Sequence, residues 1–368
     1  AGNGVIDMDT LAVDGSIALV TNGNGAATVV NDAAIEFAAS TVRGALTATA
    51  TTGNITQSGA LTITGTSTLV TSANDATIAL SNTSNAFTGA LTITTNDNSG
   101  TDAAVIIDGG TTALVIAAST IVGNLTLTSG ATAGITDSGT VTVGGDLVAT
   151  TDDGNGVIDM DQLAVGGSIA LDTNGNGAAT VVNTAAIEFD DSTVRGALTA
   201  TATTGDITDS GTLTITGASL FTTKVDGRNI VLDSSGNSFA AAVTMKAGAA
   251  GGDTFGNITF VDNAAVDFDS SATANGDLYI NASTDGAVGG NLSVTATGNI
   301  TQNIALAVTG TTTLAAGTSN DITLDNASNN FQGAVLVTTA RDINLVNSGA
   351  INLGNTTVSG TYAVTATT

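Results

Sequence analysis

The 368 residues contain no cysteine, proline, histidine or tryptophan. Each absence removes a class of protein. Without cysteine there is no disulfide framework and no thiol chemistry. Without histidine or cysteine the usual nucleophilic triads cannot be assembled. Aromatic residues make up only 3% of the chain, so a core has to be built from small and β-branched side chains. Basic residues are equally scarce. Six Lys and Arg stand against 32 Asp and Glu, a net charge of −26. That balance excludes nucleic acid as a partner and is repelled by anionic lipid. No apolar run reaches the 18 residues that crossing a membrane as a helix requires, so no membrane insertion is expected.

What remains is hydrophobic and glycine-rich. Hydrophobic residues form 42% of the chain, mean hydropathy is +0.33 and there are 46 Gly, a composition that argues against disorder. The acidity is carried almost wholly by Asp, since Glu36 and Glu188 are the only glutamates. Asp suits turns and oxygen-ligand loops, whereas Glu suits helices.

Repetition dominates the sequence. Residues 2–65 match residues 154–217 without a gap, at an offset of 152. They differ only at Thr10/Gln162, Asp14/Gly166, Val20/Asp172, Asp32/Thr184, Ala38/Asp190, Ala39/Asp191, Asn54/Asp206, Gln57/Asp209 and Ala60/Thr212. A shorter unit beginning Ala–apolar–x–apolar recurs at Ala34, Ala113, Ala186, Ala265 and Ala350. The stretch 298–314 repeats 53–69, and an Asn-x-Phe element follows each time, at Asn85–Phe87, Asn237–Phe239 and Asn329–Phe331. We read an internal duplication over 1–152 and 153–304 with a partial copy over 305–368, all within one continuous unit, 1–368.

Inside the units, apolar and polar residues alternate with period two, as in Leu61–Thr–Ile63, Leu125–Thr–Leu127 and Ile322–Thr–Leu324. Such runs, ended by Gly, Asn, Asp or Ser, predict short half-buried strands and almost no helix. A repeated unit that cannot bury its own face must stack on its neighbours. The fold predicted is therefore all-β: a single-stranded, right-handed parallel β-helix, or β-solenoid, with coils of roughly 20–26 residues. Leu46, Leu61, Ile63, Leu80, Leu91, Ile93, Leu125 and Leu127, with their partners 152 residues on, are expected to point inward. Phe37, Phe87, Phe189, Phe239, Phe268 and Phe331 are expected in the core, with Thr and Ser columns outside. The Asn-x-Phe elements suggest stacked phenylalanines and an internal asparagine ladder. The absence of proline fits, because nearly every strand amide in a stacked coil donates to a neighbour.

The phrases GALTATATTGNITQSGALTITGT, NDITLDNASNNF and AINLGNTTVSG resemble the β-strand repeats of very large bacterial surface proteins, the filamentous-haemagglutinin-like adhesins and S-layer-like giants. The resemblance covers essentially the whole chain. It implies secretion to the cell surface, a right-handed β-helix, and a scaffolding or adhesive role in a filament, surface layer or biofilm.

Two chemical readings stand beside the structural one. Asp172–Thr–Asn174–Gly–Asn176–Gly177 has the spacing of the start of a calcium loop, and residues 151–162 offer Asp153, Asn155, Asp159 and Asp161 in similar spacing. Neither stretch has the closing Glu, and ordinary Asx–Gly turns at coil corners account for the same residues. Parallel β-helices also include polysaccharide-processing enzymes with clustered carboxylates. Asp152/Asp153 and Asp190/Asp191 are the pairs here, but neighbours on a strand face opposite ways and make poor acid–base partners. Asn-x-Ser/Thr sequons at Asn54, Asn82, Asn124, Asn257, Asn281, Asn291, Asn299 and Asn355 are expected from composition alone.

The function expected is thus non-enzymatic and extracellular: a building block of a bacterial surface fibre, sheath or layer whose copies continue head to tail. The alternative is the stalk of a secreted adhesin that binds surfaces or glycans; a polysaccharide-processing enzyme is more remote. No cofactor is expected beyond calcium.

Overall fold

Strict alternation of apolar and polar residues leaves little choice of secondary structure, and a computed structural model of the chain is accordingly all-β. It describes residues 2–97, 102–248, 256–270, 277–280 and 287–367, and no helix occurs among them. The chain divides into two compact units, Ala1–Asn183 and Thr184–Thr368.

The first unit is a parallel β-solenoid. Ile6–Leu11, Ala27–Asn31, Leu46–Ala50, Ser67–Asn74 and Leu91–Asn96 lie side by side, all parallel. Ala27, Leu46, Ser67 and Leu91 share one column, so successive coils take 19, 21 and 24 residues. A second wall runs from Ser16–Ile17 through Ile35–Phe37, Ile55–Gln57, Ile78–Leu80, Val105–Asp108, Leu125–Ser129 and Leu147–Thr151 to Ile169–Asp172. Ser40–Val42, Leu61–Ile63 and Ala86–Phe87 form a short third wall. On the first wall the single strand Ile158–Val165 spans two shorter ones in the coil before it, Ile135–Asp137 and Val141–Val143.

The second unit repeats the scheme. Ile187–Phe189, Ile207–Asp209, Ile230–Leu232, Ile258–Asp262, Leu292–Ala296, Thr312–Ala315, Ala334–Ala340 and Asn352–Val358 follow one another in parallel. Other walls run through Leu198–Ala202, Ser219–Thr223, Val243–Ala247 and Asp277–Ile280, and through Val266–Phe268, Ile300–Gln302, Ile322–Leu324, Ile343–Asn347 and Tyr362–Ala366.

Because the side-chain period of a strand is two, each inward residue lies over the inward residue of the next coil. Leu46, Leu61, Ile63, Leu80, Leu91, Ile93, Leu125 and Leu127 are all buried, as are Leu198, Leu213, Ile215, Leu232, Val243 and Met245 in the other copy. The offset fails beyond that point. It places Asp277 and Tyr279 inward, yet Leu278 and Ile280 are the buried residues there and pair with Val243 and Met245. Leu125–Ser129 stands on the second wall, beside Val105–Asp108, whereas Asp277–Ile280 stands on the wall of Val243–Ala247, so the offset no longer joins equivalent strands there. The six expected core phenylalanines are buried, with Phe221 and Phe260 beside them. Phe189, Phe221, Phe239 and Phe260 form a run with centroids 6.3, 6.1 and 5.1 Å apart, the first two contacts edge-to-face and the third tilted. Outside, Thr28, Thr47, Thr68 and Thr92 form a half-buried column.

Candidate functional site

Where a strand ends at a corner, the backbone amide of the next coil loses its ladder partner and needs another acceptor. Side-chain oxygens of Asn and Asp supply it. In the first unit Asn54 accepts from the Thr77 amide at 2.9 Å, Asn124 from Asp146 at 2.9 Å, and Asp146 in turn from Ser168 at 2.9 Å. In the second unit a longer series climbs coil by coil. Asp206 accepts from Asn229, Asn229 from Asn257, Asn257 from Asn291 and Asn291 from Thr311, at 2.9, 2.8, 2.7 and 2.8 Å. Another links Asn299, Asp321, Asp342 and Thr361. Only the acceptor oxygen is needed, so Asn54 and Asp206 do the same work in the two copies.

A glycine precedes many of these residues for a steric reason. A Cβ at Gly145 would lie 2.0 Å from Asn124 Oδ1, one at Gly290 2.6 Å from Asn257 Oδ1, and one at Gly310 2.4 Å from Asn291 Oδ1. Glycine leaves room for the rung from the coil below. The recurring Gly–Asn or Gly–Asp before Ile or Leu is the sequence signal for this arrangement, and composition-based reasoning passed over it. It also explains the sequons: Asn forms the rung, Ile or Leu turns inward and Thr or Ser faces out, as at Asn54, Asn124, Asn257, Asn291 and Asn299. Asn82 instead accepts from the Ser84 amide within its own turn. Asn281 lies outside the described residues.

Of the seven candidate calcium ligands, Asp153, Asn155 and Asn174 use their side chains on backbone groups. Asn155 Oδ1 accepts from the Asn176 amide at 2.9 Å, bringing those two residues together across adjacent coils. The Asn174 side chain donates to the Asp152 carbonyl at 3.1 Å, and its own carbonyl accepts from the Gly177 amide. Asp153 accepts from the amide of Gly154. Asp159 and Asp161 both face outward from Ile158–Val165, and the Asp161 amide donates to Asp137. Asp172 is exposed at the end of its strand, opposite Thr150, and its counterpart Val20 is exposed too, at 70%. Among the described residues no three acidic side chains lie close enough together to share a metal ion. The carboxylate pair Asp190/Asp191 is likewise engaged: Asp190 accepts from the Asp191 amide and Asp191 from the Thr212 amide.

One concavity is a cleft of about 330 Å³ lined by Thr83, Asp108, Gly110, Thr111, Gly130, Asp152 and Asp153. Burial pushes the Asp108 carboxyl above its usual range, the amide of Gly110 opposes that, and the Asp152 charge adds to it.

Inside the walls the asparagines of the Asn-x-Phe elements do not stack on one another. Each clamps its neighbouring coils. Asn85 accepts from the Leu61 amide and donates to the carbonyls of Leu80 and Asp108. Asn329 accepts from Leu306 and donates to Leu324 and Val346. Gln57 and Gln302 each make a reciprocal amide pair with their asparagine.

Parallel coils, columns of aliphatic side chains and polar residues that bond the next coil define a repeat β-solenoid. Within that class the chain belongs to a family of repeats of unknown function (DUF5649), which matches residues 23–94, 175–246 and 283–338, more than half of its length. The first two matches lie 152 residues apart, the same offset as the duplication. No curated protein and no solved structure matches the chain.

Proposed function

We propose that this chain is structural material: a non-enzymatic β-solenoid block of an extracellular bacterial fibre, sheath or surface layer. The observation that carries the reading is the direction of the polar contacts. Asn and Asp side chains at the corners bond the coil above, and the buried asparagines bond the coils on either side. The chemistry of the chain thus serves axial cohesion. Such contacts recur between successive coils in both units, and the same kind of bond suits a junction from copy to copy, within one long chain or between subunits. The repeats' resemblance to those of large bacterial surface proteins supports an extracellular place.

Two measurements test this. Oriented material should give a 4.7–4.8 Å reflection along the fibre axis, the spacing of stacked strands. Mass under strong denaturation should show either one giant chain or 35.5 kDa subunits released from a polymer. A native protein that stays a dispersed 35.5 kDa monomer at all concentrations refutes the fibre, and an adhesin stalk then becomes the better account.

A further inference from the structure

At two places in the second unit a carboxylate stands where other copies of the repeat have an amide. The first is Asp262. The segment 258–268, ITFVDNAAVDF, aligns with ATVVNDAAIEF at 27–37. Asp262 thereby takes the position of Asn31, which Asn183 and Asn347 also hold at the ends of the strands Ala179–Asn183 and Ile343–Asn347. In each case the side-chain Oδ1 accepts one backbone amide, from Val13, Val165, Phe331 or, for Asp262, Phe239. The asparagines also donate from Nδ2: Asn31 to the carbonyls of Val13 and Ala34, Asn183 to Val165, Asn347 to Gly349 and Ala350. An ionised carboxylate has no proton to give. The second place is Asp209, the counterpart of Gln57. Gln57 and Asn85 exchange two hydrogen bonds, as do Gln302 and Asn329. Asp209 only receives, from Asn237 Nδ2 at 2.6 Å.

We propose that Asp209 and Asp262 make the second unit acid-strengthened: each takes up a proton in mildly acidic surroundings and then donates where the other copies donate from an amide. For Asp262 the acceptor is the Ala265 carbonyl, the counterpart of Ala34; for Asp209 it is Asn237 Oδ1.

The surroundings favour proton uptake. Asp262 is 2% exposed, and burial pushes its carboxyl above the ordinary range against the amides of Phe239 and Asn263. The strands packed against it, Ile230–Leu232 and Leu292–Ala296, carry no charged residue. Burial likewise raises Asp209, opposed by Asn237 and the amides of Asp233 and Ser234, while the Asp233 charge adds to the rise. Of the neighbouring strands, Ile187–Phe189 brings Glu188, opposite Thr208, and Ile230–Leu232 brings none. A carboxyl raised in the folded state contributes stability that is present below its unfolded value, about 3.9, and is lost as pH rises through the folded value.

The test compares the full chain with D262N and D209Q from pH 7 to pH 4. Each variant should melt about 2–4 °C above the parent at pH 7, and the gap should close on acidification. The reciprocal N31D should introduce the same pH-dependent loss into the first unit, and it decides the matter if D262N does not fold. A gap that is absent, reversed or constant with pH, or an N31D protein as stable as the parent at pH 7, overturns the proposal.

Discussion

Asn329, like Asn85, is engaged on every side, and Asn329→Ala is a sharp test of the idea that these asparagines hold the coils together. The side chain is fully buried and makes five hydrogen bonds. Its Oδ1 accepts from the Leu306 amide at 2.8 Å and from Gln302; its Nδ2 donates to Gln302 and to the carbonyls of Leu324 and Val346, both at 3.1 Å. Truncation to Ala leaves one backbone donor and two carbonyls on three successive coils without this partner. A buried polar group left unsatisfied costs about 1–3 kcal/mol, and the amide suffers most because a carbonyl has a second lone pair. We expect a total loss of about 3–5 kcal/mol. For a unit of this size that lowers the melting temperature by about 10 °C. Calorimetry and urea unfolding followed by far-ultraviolet circular dichroism will measure it. The two units need not melt together, so the transition that moves is the one to score. Asn329→Asp keeps the acceptor and loses the donor, and should fall between. A loss below about 1 kcal/mol would refute the clamp, since it would mean that water or Gln302 replaces the amide at no cost.

Other outcomes follow from the same geometry. Ser67 and Ser219 hold equivalent buried positions, and among the described residues their hydroxyls have no hydrogen-bond partner; Ser67→Ala and Ser219→Ala should each raise stability, by about 0.5–1 kcal/mol in urea unfolding, because a desolvated hydroxyl is removed. Gly145→Ala should destabilise by about 1–3 kcal/mol by driving a Cβ into Asn124 Oδ1, and Asn124→Ala in the same chain should recover part of that loss in a double-mutant cycle. Gly134 has a φ of +65° and lies against the Val157 carbonyl, so Gly134→Ala should be at least as damaging in the same assay. Excess chelator should leave the melting temperature unchanged, because Asn155, Asn174 and Asp153 already serve backbone groups; a clear fall would restore calcium to the loop at 151–162.

The walls were legible from period-two alternation alone, because in a stacked coil the same rule that buries Leu61 and Ile63 buries Leu213 and Ile215. The candidate site was less so. Asn155 and Asn176 drew notice for their spacing within two separate loop-like stretches, but their meeting depends on coil length: Asn176 stands one coil beyond Asn155 and offers its amide there. The rungs were hidden for the same reason. Partners 19 to 34 residues apart, such as Asp342 with Thr361 and Asn257 with Asn291, have no fixed spacing to search for. The end of the offset at Asp277–Ile280 escaped too, since the alternation of a strand does not say which wall it joins.

The unequal rungs bear on how such a chain can change over generations. A coil that closes after 20 residues and one that closes after 34 end in bonds of 2.8 and 2.7 Å on the same corner series. Length is therefore free between corners, provided the chain returns in register with an amide for the Asn or Asp of the coil before, as at Gly290–Asn291 and Gly310–Thr311. New segments can be inserted into a coil, and altered by selection, while the stack beneath and above keeps its pairing. For a repetitive protein this separates two evolutionary tasks: the corners preserve the axis, and the spans between them are available for diversification.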